Sequence, residues 1–296
     1  MSTHDFNAFI ESAWNDHADD PKAVAARLQS STQLINAAEY VAPFARITTH
    51  VFGEHLGRWS EGITLLQSLR SLSAWDVTAH GGVIDRNVAA LRFCDTSDQA
   101  TASAALQTFS LEDKISVLAT AAACLAGAGQ SDRAAPTLDA AIELADTGLK
   151  DGSPAFRALA IAGNNIAGTL EELPARDAAQ TAMMLKAANA GVRFWTLAGT
   201  WLETERAYYR LANSLIAANQ PAEAIEAATR CIDICEKNTA PAFEKFFGHA
   251  MKAIAARAAG KPVEFDAARM TAMAQYEAVP DDEKSWCKRE LDLLAA

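Results

Sequence analysis

Apolar positions along this chain recur with a helical spacing. Within 208–238, Tyr208, Leu211, Ala212 and Leu215 fall at i, i+3, i+4 and i+7, which is one face of a helix. After a break at Asn219-Gln220-Pro221, Ala224, Ala228, Cys231 and Cys235 fall at i, i+4, i+7 and i+11. Two such faces joined by a short turn are predicted to pack antiparallel, and small residues at Ala212 and Ala224 let the backbones approach. Neither helix would hold alone in water, so the hairpin needs neighbours.

The same pattern recurs with breaks at Gly57, Gly129 and Gly260-Lys261-Pro262, and more faintly near Ala18, Asp95 and Leu170. Successive breaks lie 34 to 49 residues apart, an irregular period in the range of helical repeats. Pro21, Pro154, Pro174, Pro221, Pro241, Pro262 and Pro280 each stand just before an amphipathic stretch, where a missing N–H costs nothing. Asp20 and Ser153 are favourable caps beside two of them, and Ser110-Leu-Glu-Asp113 and Ser131-Asp132 mark further starts. Pro43 and Pro136 fall inside helical stretches, which predicts a kink at the first and a late start at the second.

These hairpins resemble the tetratricopeptide repeat family. The small–large–turn–Ala–Ala pattern is carried best by Ala212, Leu215, Asn219, Ala224 and Cys231, and by Ala122, Leu125, Gly129, Ala134 and Ala141. The period exceeds the usual one of about 34, and Asn219 and Cys231 stand where Gly and Ala are commoner, which is closer to the divergent repeats of bacterial regulatory solenoids. The resemblance implies an all-α fold: a right-handed superhelical α-solenoid of antiparallel hairpins, a single domain over 1–296. Its clearest repeats are expected near 43–72, 113–146, 205–237 and 244–277, with a C-terminal capping helix near 281–295 whose polar side faces solvent.

Composition narrows the functions. Half of the 296 residues are hydrophobic, dominated by the helix formers Ala and Leu, and the formal charge is −11 with no Lys/Arg stripe. Neither a nucleic-acid partner nor an anionic membrane surface fits that charge. The opening MSTHDF lacks a basic stretch followed by an apolar core, so no signal peptide is expected. The apolar run at 117–129 is too short to span a bilayer. Five unevenly spaced cysteines suggest no disulfide framework, and the expectation is a cytoplasmic protein.

The candidate chemistry is sparse. Cys231 and Cys235, with His249 on the next helix, could share a metal or redox site, but both thiols lie on the stripe of Ala224 and Ala228 and read as core. His50 and Glu54 share a helical face, whereas His55 at i+5 should point elsewhere; these read as polar surface. Glu203 and Glu205, and Glu171 and Glu172, read as solvated charge because near neighbours on a helix diverge. No nucleophile elbow, phosphate loop or dinucleotide fingerprint is present, so no catalytic residue, metal ligand or cofactor is assigned.

In proteins that this chain resembles, the first helix of each hairpin lines a concave groove that binds extended peptides. Arg206, Tyr209 and Asn213, at i, i+3 and i+7, would project there, as would Arg157, Asn164 and Asn165 one repeat earlier. Trp195 and Trp201 can anchor a ligand or fill the gap between hairpins of unequal length; Trp201 is placed with the groove residues. The resulting expectation is a non-catalytic scaffold or adaptor for a protein or peptide partner. Two alternatives remain: a sensor binding a small peptide or metabolite between Gly129 and Asn219, and an enzyme built on a helical toroid.

Overall fold

A computed structural model describes residues 3–96 and 98–295, which contain helices and turns and, among them, no strand. Contacts between Cα atoms group the chain into two units, Met1–Lys150 and Asp151–Ala296. No helix among the described residues is long and apolar enough to cross a membrane.

Unit 1 contains α1 (Thr3–Asp16), α2 (Pro21–Ser30), α3 (Val41–Thr49), α4 (Trp59–Ser68), α5 (Val77–Asp95), α6 (Gln99–Ala105), α7 (Leu111–Gly127) and α8 (Ser131–Asp146). Unit 2 contains α9 (Pro154–Glu171), α10 (Ala178–Ala198), α11 (Trp201–Ala217), α12 (Pro221–Lys237), α13 (Ala242–Ala258), α14 (Pro262–Glu277) and α15 (Lys288–Ala295). Helices adjacent in sequence pack as hairpins: α7 on α8, α9 on α10, α11 on α12 and α13 on α14. The repeat read from the sequence is thus the building unit of the fold. Leu28, Phe44, Phe52, Leu66, Leu91 and Leu125 anchor the core of unit 1, and Phe194 and Phe246 that of unit 2, all fully buried.

The turns are made by backbone that side chains disfavour. Gly57, Gly129, Asn219 and Gly260 have φ of 60, 73, 58 and 70°, the left-handed region open to Gly and tolerated by Asn. Pro21, Pro154, Pro221 and Pro262 occupy the first positions of α2, α9, α12 and α14. Two proline expectations are corrected. Pro43 sits in the first turn of α3, where it breaks no helical hydrogen bond and needs no kink. Pro136 lies inside α8, which already begins at Ser131. A close helix crossing joins α9 to α10 at Gly163, where an added Cβ would meet the Ala187 carbonyl at 2.6 Å and the Gly191 nitrogen at 2.7 Å.

Candidate functional site

The first helices of the three hairpins of unit 2 are α9, α11 and α13. Thr200 and Glu203 start α11 with a capping box, in which Glu203 accepts from the Thr200 backbone N–H at 2.8 Å. The Thr200 hydroxyl, and then that bond, hold the Glu203 carboxyl below its ordinary range. One turn on, the helix presents Arg206, Tyr209 and Asn213 on one side, and the structure gives each of them a partner from later in the chain. Arg206 donates to both oxygens of Glu244 on α13, a carboxylate that is itself buried. The Tyr209 hydroxyl donates to Glu290 on α15 at 2.6 Å. Asn213 accepts from Arg289 at 3.0 Å and donates to the Tyr209 carbonyl at 3.0 Å.

The C-terminal helix leaves Lys288, Arg289 and Asp292 exposed but turns one of its acids inward. Glu290 is 1% exposed, Cys287 and Leu294 are buried beside it, and Arg257 of α13 donates to the Leu293 carbonyl. A carboxylate removed from water needs its donors. Tyr209 and Arg289 are those donors, and burial with the nearby Glu290 charge drives the phenol pKa upward.

The remaining groove candidates separate. Arg157, about half exposed, lies over the Trp195 ring at 4.9 Å and 3.7 Å from Glu203, joining α9, α10 and α11. Trp195 is buried, while Trp201 is half-buried at the first position of α11. Asn164 turns towards α10: its Oδ1 lies 2.3 Å from where a Cβ on Gly191 would stand, buried and without a hydrogen-bond partner. Sequence reasoning missed the aromatic side of this face. Phe243 and Phe247, one turn apart on α13, are half-buried with ring centroids 5.0 Å apart, and Phe247 meets Tyr209 edge-on at 5.4 Å. Their spacing of four was the available signal.

Several other sequence expectations change. Glu171 is not solvated: its carboxylate receives Arg210 and the Ser214 hydroxyl, both at 2.5 Å. Nor is Glu205, which is 1% exposed and accepts from the Cys231 thiol at 2.8 Å. The two cysteines thus meet Glu205 rather than His249, and both are fully buried, as their place on the Ala stripe implies. Its hydrogen bond with Cys235, then burial and the neighbouring acid, hold the Cys231 thiol up and protonated, and the same hydrogen bond pulls the Cys235 pKa down. His55 does not point away from His50; their Nε2 atoms stand 3.1 Å apart.

No family model and no curated protein matches the chain. Among solved structures it is similar to two crystal structures of the TPR-like repeats of a Podosopora anserina protein described as a kinesin light chain, one of them a single-substitution variant. Each is 15% identical, with a TM-score of 0.47 over 80% of this chain and 93% of that chain.

Proposed function

We propose that the chain is a cytoplasmic, non-catalytic recognition module that holds a protein segment on the first-helix face of unit 2. One observation carries this reading: Arg157, Arg206, Tyr209, Phe243 and Phe247 stand on three successive first helices, and all are at least partly open to solvent. Arginine and aromatic side chains are the residues that dominate binding energy at protein interfaces. The partner that suits them offers carboxylates to the guanidinium groups and apolar side chains to the two phenylalanines. Asn164, turned to α10, leaves the proposed contact set, and Trp201 stays at its margin.

A photo-crosslinking residue placed at Phe243 or Arg157, compared with one at exposed Glu226 on the second helix α12, tests the reading in native lysate. A protein captured from the first two positions and not from the third supports it. Equal capture from all three, or capture from Glu226 alone, moves the site off this face. The sensor alternative, expected between Gly129 and Asn219, would have to use a different place, a cleft of 720 Å³ in unit 1 lined by Arg70, Asp85, Arg92, Phe109 and Asp113 among others. A metabolite that raises Tm in the wild type and not in an Arg92→Ala variant would favour it.

A further inference from the structure

The stretch His50-Val-Phe-Gly-Glu-His55 continues α3 as a π-helical turn. The Leu56 N–H bonds to the Val51 carbonyl at 3.1 Å, five residues back. In such a turn positions i and i+5 come into register, which ordinary α-helical spacing forbids. Close packing accompanies the wider turn. A Cβ on Gly53 would stand 2.5 Å from the Cys124 sulfur, and one on Gly127 of α7 would stand 2.0 Å from the Glu54 carbonyl. Two glycines thus let the widened backbone lie against α7, and the widening brings His50 and His55 together.

A third imidazole arrives from elsewhere in the sequence. His17, in the turn between α1 and α2, lies with its ring centroid 4.9 Å from that of His50 and 5.1 Å from that of His55. One ring nitrogen from each histidine falls within 4.8 Å of the others. The rings are not stacked as in a hydrophobic cluster: their planes meet at 54, 80 and 88°.

The second nitrogens are accounted for in a telling way. His50 Nδ1 donates to Glu54 Oε1 at 3.0 Å, and His17 Nδ1 donates to the Trp14 carbonyl. Because each acceptor can only accept, both rings carry their proton on Nδ1, and each Nε2 is left with a lone pair. This is how metal-binding histidines are usually oriented, one nitrogen on the ion and the other on a carboxylate or a carbonyl. A hydrogen bond between His50 and His55 alone would require neither the third ring nor the orienting pair. For an ion with Zn–N bonds of about 2.05 Å in tetrahedral array, two nitrogens stand about 3.3 Å apart. The observed 3.1 Å between His50 and His55 is close to that.

The geometry points to a metal site in unit 1: His17, His50 and His55 offer Nε2 to one divalent transition-metal ion of the zinc class, and Glu54 and the Trp14 carbonyl orient two of the rings. Three neutral nitrogen donors suit zinc, cobalt, nickel, copper or iron, and not the oxygen-seeking magnesium or calcium. A fourth position remains for water or a ligand group, since His55 lies at the exposed side. The ion would tie the α1–α2 turn to α3. This proposal is independent of the protein-binding face in unit 2.

The test is titration of the full, untagged chain with Co²⁺ and with Zn²⁺, read by visible absorption, calorimetry and Tm. One equivalent of Co²⁺ is expected to give d–d bands without thiolate-to-cobalt charge transfer, and Zn²⁺ to raise Tm. His55→Gln should abolish both signals while the metal-free variant keeps the helical circular dichroism of the wild type. Glu54→Gln should weaken binding by about 10- to 100-fold, as loss of an orienting partner does. Binding that survives His55→Gln and His17→Gln would overturn the proposal, as would sulfur charge transfer, which would place the ion at Cys231 and Cys235. A wild-type chain that gives no d–d bands and no Tm rise would overturn it equally.

Discussion

Glu205 shows what a single buried carboxyl costs and how that cost depends on pH. Its Oε1 accepts from Cys231, its Oε2 is buried without a partner, and burial above all pushes its pKa up to about 9, with the Cys231 bond opposing. The group is therefore protonated in the folded chain at neutral pH, whereas the unfolded chain ionises at its ordinary value. Between those two values the folded state binds the extra proton, so stability is full at low pH and falls as pH rises through the window. The slope there approaches about 1.4 kcal/mol per pH unit. Glu205→Gln keeps the shape and removes the titration. Its Tm relative to wild type should rise steadily between pH 6 and pH 8.5, and a difference that stays flat over that range would show that Glu205 is not the proton-binding group.

Tyr209 illustrates the opposite economy, a hydroxyl whose partner is the costly group. Tyr209→Phe leaves Glu290 buried with Arg289 as its remaining side-chain donor. Loss of a donor to a buried charge destabilises by about 1–3 kcal/mol. The loss should concentrate on α15, so amide exchange in 288–295 should accelerate while that in α9 and α10 does not. Uniform acceleration, or none, would mean that the phenol does not latch the helix.

At the scale of elements, turns decide what was legible. The breaks at Gly57, Gly129, Asn219 and Gly260 could be read because each is a residue that accepts positive φ at the end of an amphipathic stretch. Thr239 could not be read: a β-branched residue with φ of 51° ends α12, against every local preference. Thr239→Gly should relieve a strain of about 1–2 kcal/mol, less about 0.5–1 for glycine's flexibility, and so raise Tm slightly. A lower Tm would show that the threonine contributes more there than its strain removes. The π turn was equally hidden, since no sequence period distinguishes it from α-helix. That is why α-helical spacing puts His55 on another face, and nothing in the sequence joins the distant His17 to it. The polar row of α11 was legible from spacing alone. Its partners Glu244, Arg289 and Glu290 were not, because they are contacts between hairpins rather than within one.

For the whole chain, the informative property is that contacts are local. In helical repeats each hairpin is stabilised by itself and its nearest neighbours, so no distant strand pairing has to be satisfied before a core forms. Each of the two units has its own buried large side chains, and its helices pack on those next to them or one further along the sequence. The site proposed for protein recognition lies wholly in Asp151–Ala296, and the metal site wholly in Met1–Lys150. This locality makes a strong prediction. Residues 151–296 produced alone should be helical by circular dichroism, melt in one cooperative transition, and keep the slow amide exchange of α15 that Tyr209 and Arg257 impose. A fragment that is helical but melts without cooperativity, or in which α15 exchanges as fast as an unfolded peptide, would show that the core of unit 2 is not sufficient for its own fold. Transfer of the Tyr209→Phe effect unchanged into the fragment would locate the latch, and the face it covers, within that unit alone.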